Sequence, residues 1–277
     1  TPVSGQATPV PSPVINPVGE PGNNPTSATA EPVRDSGASG VWRAIRGPVI
    51  VGAVIVAVAA LSALATARPP GSLADPSSPE PSGAMAVAEL LGEQGVHVER
   101  IDDLATAVAA PAGSTLAVVG ADRLTARSAR ALAETHADLV LIAPPDPVLA
   151  ELTPLLSSSG EGTPGQVRAP SCDWPVARRA GPAAVSLHAY RLNHPAPSAQ
   201  LCYPNQPSGQ TAMTRPAPTS SSLIVLPQQH PDGTARTLMV LGDPTALTNE
   251  ALAEDGNAAL ALGLLGQHTQ LTWLVAP

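Results

Sequence analysis

STLAVVGADRLTARSARALAETHADLVLIAPPDPVLAELTPLL, residues 114–156, is the stretch whose reading decides the fold. STLAVVG (114–120) is an apolar run that stops on Gly120, as a buried strand does. LTARSARALAETHA (124–137) is amphipathic at helical spacing, with Thr125 placed as its N-cap. DLVLIAP (138–144) is a second apolar strand. PDPVLAELTPLL (145–156) then opens with Asp146 as a cap and Pro147 at the first helical position, where its missing N–H does no harm. Strands alternating with helices of this size predict βαβ units. The expected fold is therefore α/β, a mostly parallel sheet with flanking helices.

The same alternation extends upstream. SGAMAVAELLGEQG (82–95) reads as a helix capped by Ser82 and ended by Gly95, with Val87, Leu90 and Leu91 on one face. VHVERI (96–101) alternates like a strand, and DDLATAVAA (102–110) is a short helix stopped by Pro111. Downstream the pattern breaks at Ser157. Residues 157–220 are rich in Pro, Ser and Gly and read as an excursion from the sheet, with VSLHAYRL (185–192) as a possible strand. SSLIVLPQQ and TARTLMVLG flank HPDGT (230–234), so Asp232-Gly233 predicts a β-hairpin. A helix after Gly242 and the run QLTWLV (270–275) close the domain.

Residues 1–40 form a Pro-rich tail that cannot bury enough apolar surface to offset ordering, and read as disordered. Within the flanked segment 41–68, Pro48–Ala67 is 20 residues without a charge. At about 1.5 Å per residue such a helix spans roughly 30 Å, the thickness of a bilayer core. The expectation is one transmembrane helix; a buried helix and a cleaved signal peptide ending at SALATA are the alternatives. Arg34, Arg43 and Arg46 precede the span and Arg68 follows it. The positive-inside rule then leaves the tail in the cytoplasm and places residues 69–277 outside the cell membrane.

Cys172 and Cys202 are the only two cysteines of the 277 residues. In an oxidising compartment two cysteines of one domain pair, and they read as a disulfide pinning the 157–220 segment; a free catalytic thiol is the alternative. All 14 basic residues are Arg. The absence of Lys excludes a Walker-type phosphate loop and Schiff-base chemistry. After residue 67 there are 11 Arg against 19 acids, a balance that repels nucleic acid.

No G-x-C-x-G or G-x-S-x-G marks a nucleophile elbow, and no G-x-G-x-x-G marks a dinucleotide site. His97, His136, His188, His194, His230 and His268 show no metal-ligand spacing. Thus no catalytic residue, metal or cofactor is expected. The remaining candidates are polar groups beyond strand ends, where open α/β sheets bind ligands. Asp122, Asp146 and Asp243 each follow an apolar strand. Asn249 and Asn257 stand in GDPTALTNEALAEDGNAALALGLLG (242–266), where capping and loop hydrogen bonds are the competing explanation.

DPSSPEPSGAMAVAELLGEQGV (75–96), CDWPVARRAG (172–181) and the 242–266 stretch, in this order, resemble the actinobacterial membrane-anchored family called domain of unknown function 4350. The resemblance covers residues 41–277. It implies a fold like the class I glutamine amidotransferase domain without its catalytic set. It also implies a role in the cell envelope beside a MoxR-type ATPase and a von Willebrand-A-like protein. Family members often continue into a second membrane helix; this sequence ends at Pro277. The expected function is a membrane protein whose exported, non-catalytic domain binds a partner protein or ligand. An exported hydrolase or amidase and a structural subunit of a membrane assembly are the alternatives.

Overall fold

In a computed structural model of the chain, residues 73–205 and 219–277 are described. They belong to one compact unit, Arg68–Pro277. The sequence folds in the order α1 (Met85–Glu93), β1 (His97–Ile101), α2 (Leu104–Val108), β2 (Thr115–Val119), a 3-10 turn (Ala121–Arg123), α3 (Ala126–Ala133), β3 (Asp138–Ile142) and α4 (Asp146–Leu152). Then come β4 (Leu156–Glu161), β5 (Val167–Arg168), α5 (Pro175–Ala180), β6 (Ala183–Ala184), β7 (His188–Leu192), β8 (Gln200–Pro204), β9 (Ser221–Gln229) and β10 (Ala235–Leu241). A second 3-10 turn (Thr245–Leu247), α6 (Asn257–Leu265) and β11 (Gln270–Val275) finish the domain.

Nine strands make one sheet in the order β1-β11-β2-β3-β10-β9-β7-β4, with β8 also on β9. The five strands from β1 to β10 in this order are joined by parallel ladders. Every ladder from β10 through β9 to β7, β4 and β8 is antiparallel. The sheet is mixed, so the expectation of a mostly parallel sheet is corrected. Among the described residues between α4 and β10 no helix crossover links neighbouring strands of the sheet, and β4, β7, β8, β9 and β10 pair antiparallel through hairpins and loops. α6 then carries the chain across to β11, which pairs parallel again. The segment 157–220 is also not simply an excursion: β4, β7 and β8 arise from it and extend the sheet. Among the described residues of this segment, the strands that stand apart are those of the small β5/β6 ribbon.

The expected transmembrane helix is likewise not part of the observed fold. Among the described residues no helix is long and apolar enough to cross a membrane. Pro48–Ala67 and the tail 1–40 lie outside the described residues.

The sheet separates two cores. Ala117, Val119, Val140 and Ile142 point to one face and pack with Val87 and Leu91 of α1, Val176 of α5 and Leu260 and Leu264 of α6. Leu116, Val118, Leu139 and Leu141 point to the other and meet Ala107, Leu132 and Leu149 of α2, α3 and α4. The period-2 alternation of β2 and β3 thus feeds both layers, which is why these central strands are apolar throughout. β11 inserts between β1 and β2 and buries Trp273 completely.

The predicted local signals divide. Thr125 caps α3 by accepting the Ser128 N–H at 3.1 Å. Asp232-Gly233 turns the β9/β10 hairpin, with Gly233 at φ 87°. Ser82, however, does not cap α1; the N-cap is Ala84, without a side-chain bond of its own. Asp146 is the first residue of α4, not its cap, because the helix begins after Pro145.

Candidate functional site

The carboxyl ends of β2, β3 and β10 open onto a crevice of about 350 Å³. Its walls come from Gly120, Asp122, Arg123, Ile142, Ala143 and Pro244, with Leu73, half exposed, at the rim. Gly120 leaves β2 in a left-handed conformation, φ 69°, beneath the Arg123 guanidinium; a Cβ there would collide with that group. Glycine is favoured here by the backbone angle; the Arg123 side chain is exposed and can move aside from a Cβ. The 3-10 turn that follows carries Asp122 and Arg123 outward, both exposed.

β3 ends in a sharper device. Ala143 adopts φ 49°, rare for a residue with a Cβ, between a buried strand and the helix α4. Its N–H donates to the Leu241 carbonyl at 2.7 Å. The buried Tyr190 hydroxyl donates to the next carbonyl, Pro144 O, at 3.0 Å. Burial, and then the negative charge of Asp146, push the Tyr190 hydroxyl pKa upward, so it remains a donor. A strained strand-to-helix turn is the geometry in which hydrolases present a nucleophile. Here that position carries a methyl group.

The five candidate residues are not brought together. Asp122 faces the crevice. Asp243 is buried beneath it, where Oδ2 accepts the Gly165 N–H at 2.8 Å and Oδ1 the Thr245 N–H at 2.9 Å. Asp146 accepts the Ser158 N–H at 2.5 Å and ties α4 to β4. Asn249 reaches across the chain: its Oδ1 accepts the Ala86 N–H at 2.9 Å, and its Nδ2 donates to Ser78 O at 2.9 Å and Glu80 O at 2.7 Å. It caps α1 from more than 160 residues away. Asn257, fully buried, accepts from Ala184 N–H and donates to Ala251 O, both at 2.8 Å. Among the described residues no three His, Cys, Asp or Glu gather as metal ligands.

Residues 76–265 match a family described as a domain of unknown function, DUF4350. The chain belongs to the DUF4350 family. A protein of Mycobacterium tuberculosis described as an uncharacterized membrane protein is 30% identical over 230 residues, which is 82% of this chain and 54% of that protein. The chain thus spans about half the length of this curated relative. No solved structure matches it.

In this DUF4350 chain the two cysteines do form a disulfide, with Cα atoms 5.0 Å apart. It joins the segment before α5 to the buried strand β8. Sequence reasoning found Asp122 but missed Arg123 and Ala143. The Gly120-Asp122 spacing after a strand was a usable signal for the first. Nothing in an alanine before two prolines announces a left-handed backbone.

Proposed function

We propose that this protein acts at the cell membrane and that its α/β domain lies on the oxidising, extracytoplasmic side, binding a partner or ligand at the strand-end crevice without catalysing a reaction. The disulfide supports the compartment, since such bonds persist where thiols are not kept reduced. The name of the mycobacterial relative supports the membrane. The observation that carries the binding reading is the elbow itself. The fold keeps a strained strand-helix turn beside an open crevice but places Ala143 there, flanked by Asp122 and Arg123 as charged rim groups.

A photocrosslinking group at position 123, introduced in native membranes, should capture a discrete species. The same group at Arg127, on the exposed side of α3, should not. Equal capture from both positions would overturn the assignment of the crevice. Identification of the captured species decides whether a MoxR-type ATPase system or another envelope protein is the partner.

One observation favours a second reading, an exported hydrolase. Asp138, His268 and Ser198 line one depression, and His268 Nε2 lies 2.8 Å from Asp138 Oδ2. Among the described residues Ser198 makes no hydrogen bond to His268. Labelling of Ser198 by a fluorophosphonate probe, lost in Ser198→Ala, would replace the binding reading by this one.

A further inference from the structure

At the edge of the sheet opposite the crevice, where β2, β3 and β10 begin, lies a depression of about 530 Å³. Arg236 forms part of its wall and is only 6% exposed. A guanidinium has five N–H donors. Nε donates to Gln228 Oε1 at 3.0 Å, and Nη1 to Thr135 O at 2.7 Å and Leu132 O at 3.4 Å. Leu132 lies in the last turn of α3 and Thr135 just beyond it, where the helix dipole favours a cation. This accounts for three donors. The two on Nη2 meet no protein partner among the described residues, and Nη2 is not sealed from solvent.

Nor does any carboxylate of the described residues lie within ion-pair distance of Arg236. Burial lowers its pKa, opposed only by the through-space charges of Glu134 and Asp138. A largely buried cation whose nearest carboxylates stand beyond ion-pair distance is only partly compensated, whereas buried charges are ordinarily paired.

The same depression holds one anion. Asp138 Oδ1 accepts the Thr237 N–H at 2.6 Å, which places this carboxylate beside the residue that follows Arg236. Its Oδ2 bonds His268 Nε2 at 2.8 Å, and its side chain remains partly exposed. Gln228, Gln229 and Ser198 add neutral donors and acceptors around the two charges. A polyanion such as phosphate would be attracted by Arg236 and repelled by Asp138. A ligand carrying both signs a few bonds apart satisfies both.

We propose that this depression binds a small zwitterion of the amino-acid class, its carboxylate on Arg236 Nη2 and its ammonium on Asp138. The site is independent of the strand-end crevice and stands or falls without it.

The test is thermal unfolding of the full chain with glycine or alanine at about ten times a millimolar Kd. N-acetylalanine, alaninamide and inorganic phosphate at matched ionic strength are the controls. Glycine or alanine should raise the Tm by about 3 °C or more, and the controls by less than about 1 °C. Arg236→Gln should abolish the shift. Because that change also loosens the end of α3, Ser198→Trp provides a second variant. It fills the depression from an exposed wall, and should abolish the shift while leaving the ligand-free Tm within about 1 °C. Absence of protection by both amino acids, equal protection by N-acetylalanine, or an undiminished shift in Ser198→Trp would each overturn the proposal.

Discussion

Residues 242–257 and residues 120–123 both follow strands that end at the same edge of the sheet, yet their polar groups are used in opposite ways. In the first stretch Asp243, Asn249 and Asn257 direct their oxygens and nitrogens at backbone groups, in other segments at Gly165, Ala86, Ser78 and Ala184, and within the stretch at Ala251. In the second, Asp122 and Arg123 stand exposed at an open crevice, and neither makes a side-chain hydrogen bond or ion pair among the described residues. The denser polar motif is the structural one. A buried amide or carboxylate is retained because it satisfies backbone groups that water cannot reach. A group able to meet a ligand must keep its donors or acceptors open.

The comparison makes quantitative demands. The largest effect is expected where a constraint on the whole segment before β8 is removed. Cys172→Ala should cost about 3–4 kcal/mol by chain entropy, read as a lowered denaturant midpoint, and the wild type in reductant should match it. Asn257→Ala follows closely. It strands the Ala184 N–H and the Ala251 carbonyl in the core, at about 3 kcal/mol in the same measurement. A loss below about 1 kcal/mol would remove Asn257 from the structural class and reopen it as a ligand residue.

Acid provides a third measure. Burial opposes ionisation of Asp75, but hydrogen bonds from Ser77 and Arg100 outweigh it and hold its pKa below 3.8. A carboxylate depressed in the fold contributes stability above its unfolded pKa and loses it as pH falls through the folded one. Stability should therefore decline below about pH 4, and Asp75→Asn should differ from wild type at pH 7 but converge with it in acid. The smallest effect belongs to the crevice. Asp122→Ala and Arg123→Ala should each change stability by less than about 0.5 kcal/mol, while Arg123→Ala lowers crosslinking or capture at the crevice. A large loss of stability there would end the distinction drawn between the two stretches.

Much of the local structure was legible because its causes are local. The Thr125 cap, the Gly95 and Gly120 stops and the Asp232-Gly233 turn each depend on neighbours a few residues away. Two of the errors share one physical origin, partners distant in sequence. Ser82 looked like a cap for α1, but Asn249 arrives from the far end of the chain to do it. Residues 157–220 looked like a departure from the sheet because Pro and Ser blur their strand pattern, yet Tyr190 is fully buried and β7 joins β9. The candidate site was half legible. Asp122 follows from its place after a strand, whereas Ala143 owes its role to a backbone angle that no side-chain chemistry betrays.

By itself the sequence determined an α/β domain with two apolar central strands and no lysine chemistry. Composition and short-range periodicity suffice for these. Tertiary structure alone decided that the last strand lies between the first two, that half the ladders run antiparallel, and which polar groups are closed off by backbone partners and which are left open. Strand order and hydrogen-bond satisfaction depend on pairings across the whole chain, and these exist only once the two faces of the sheet are covered.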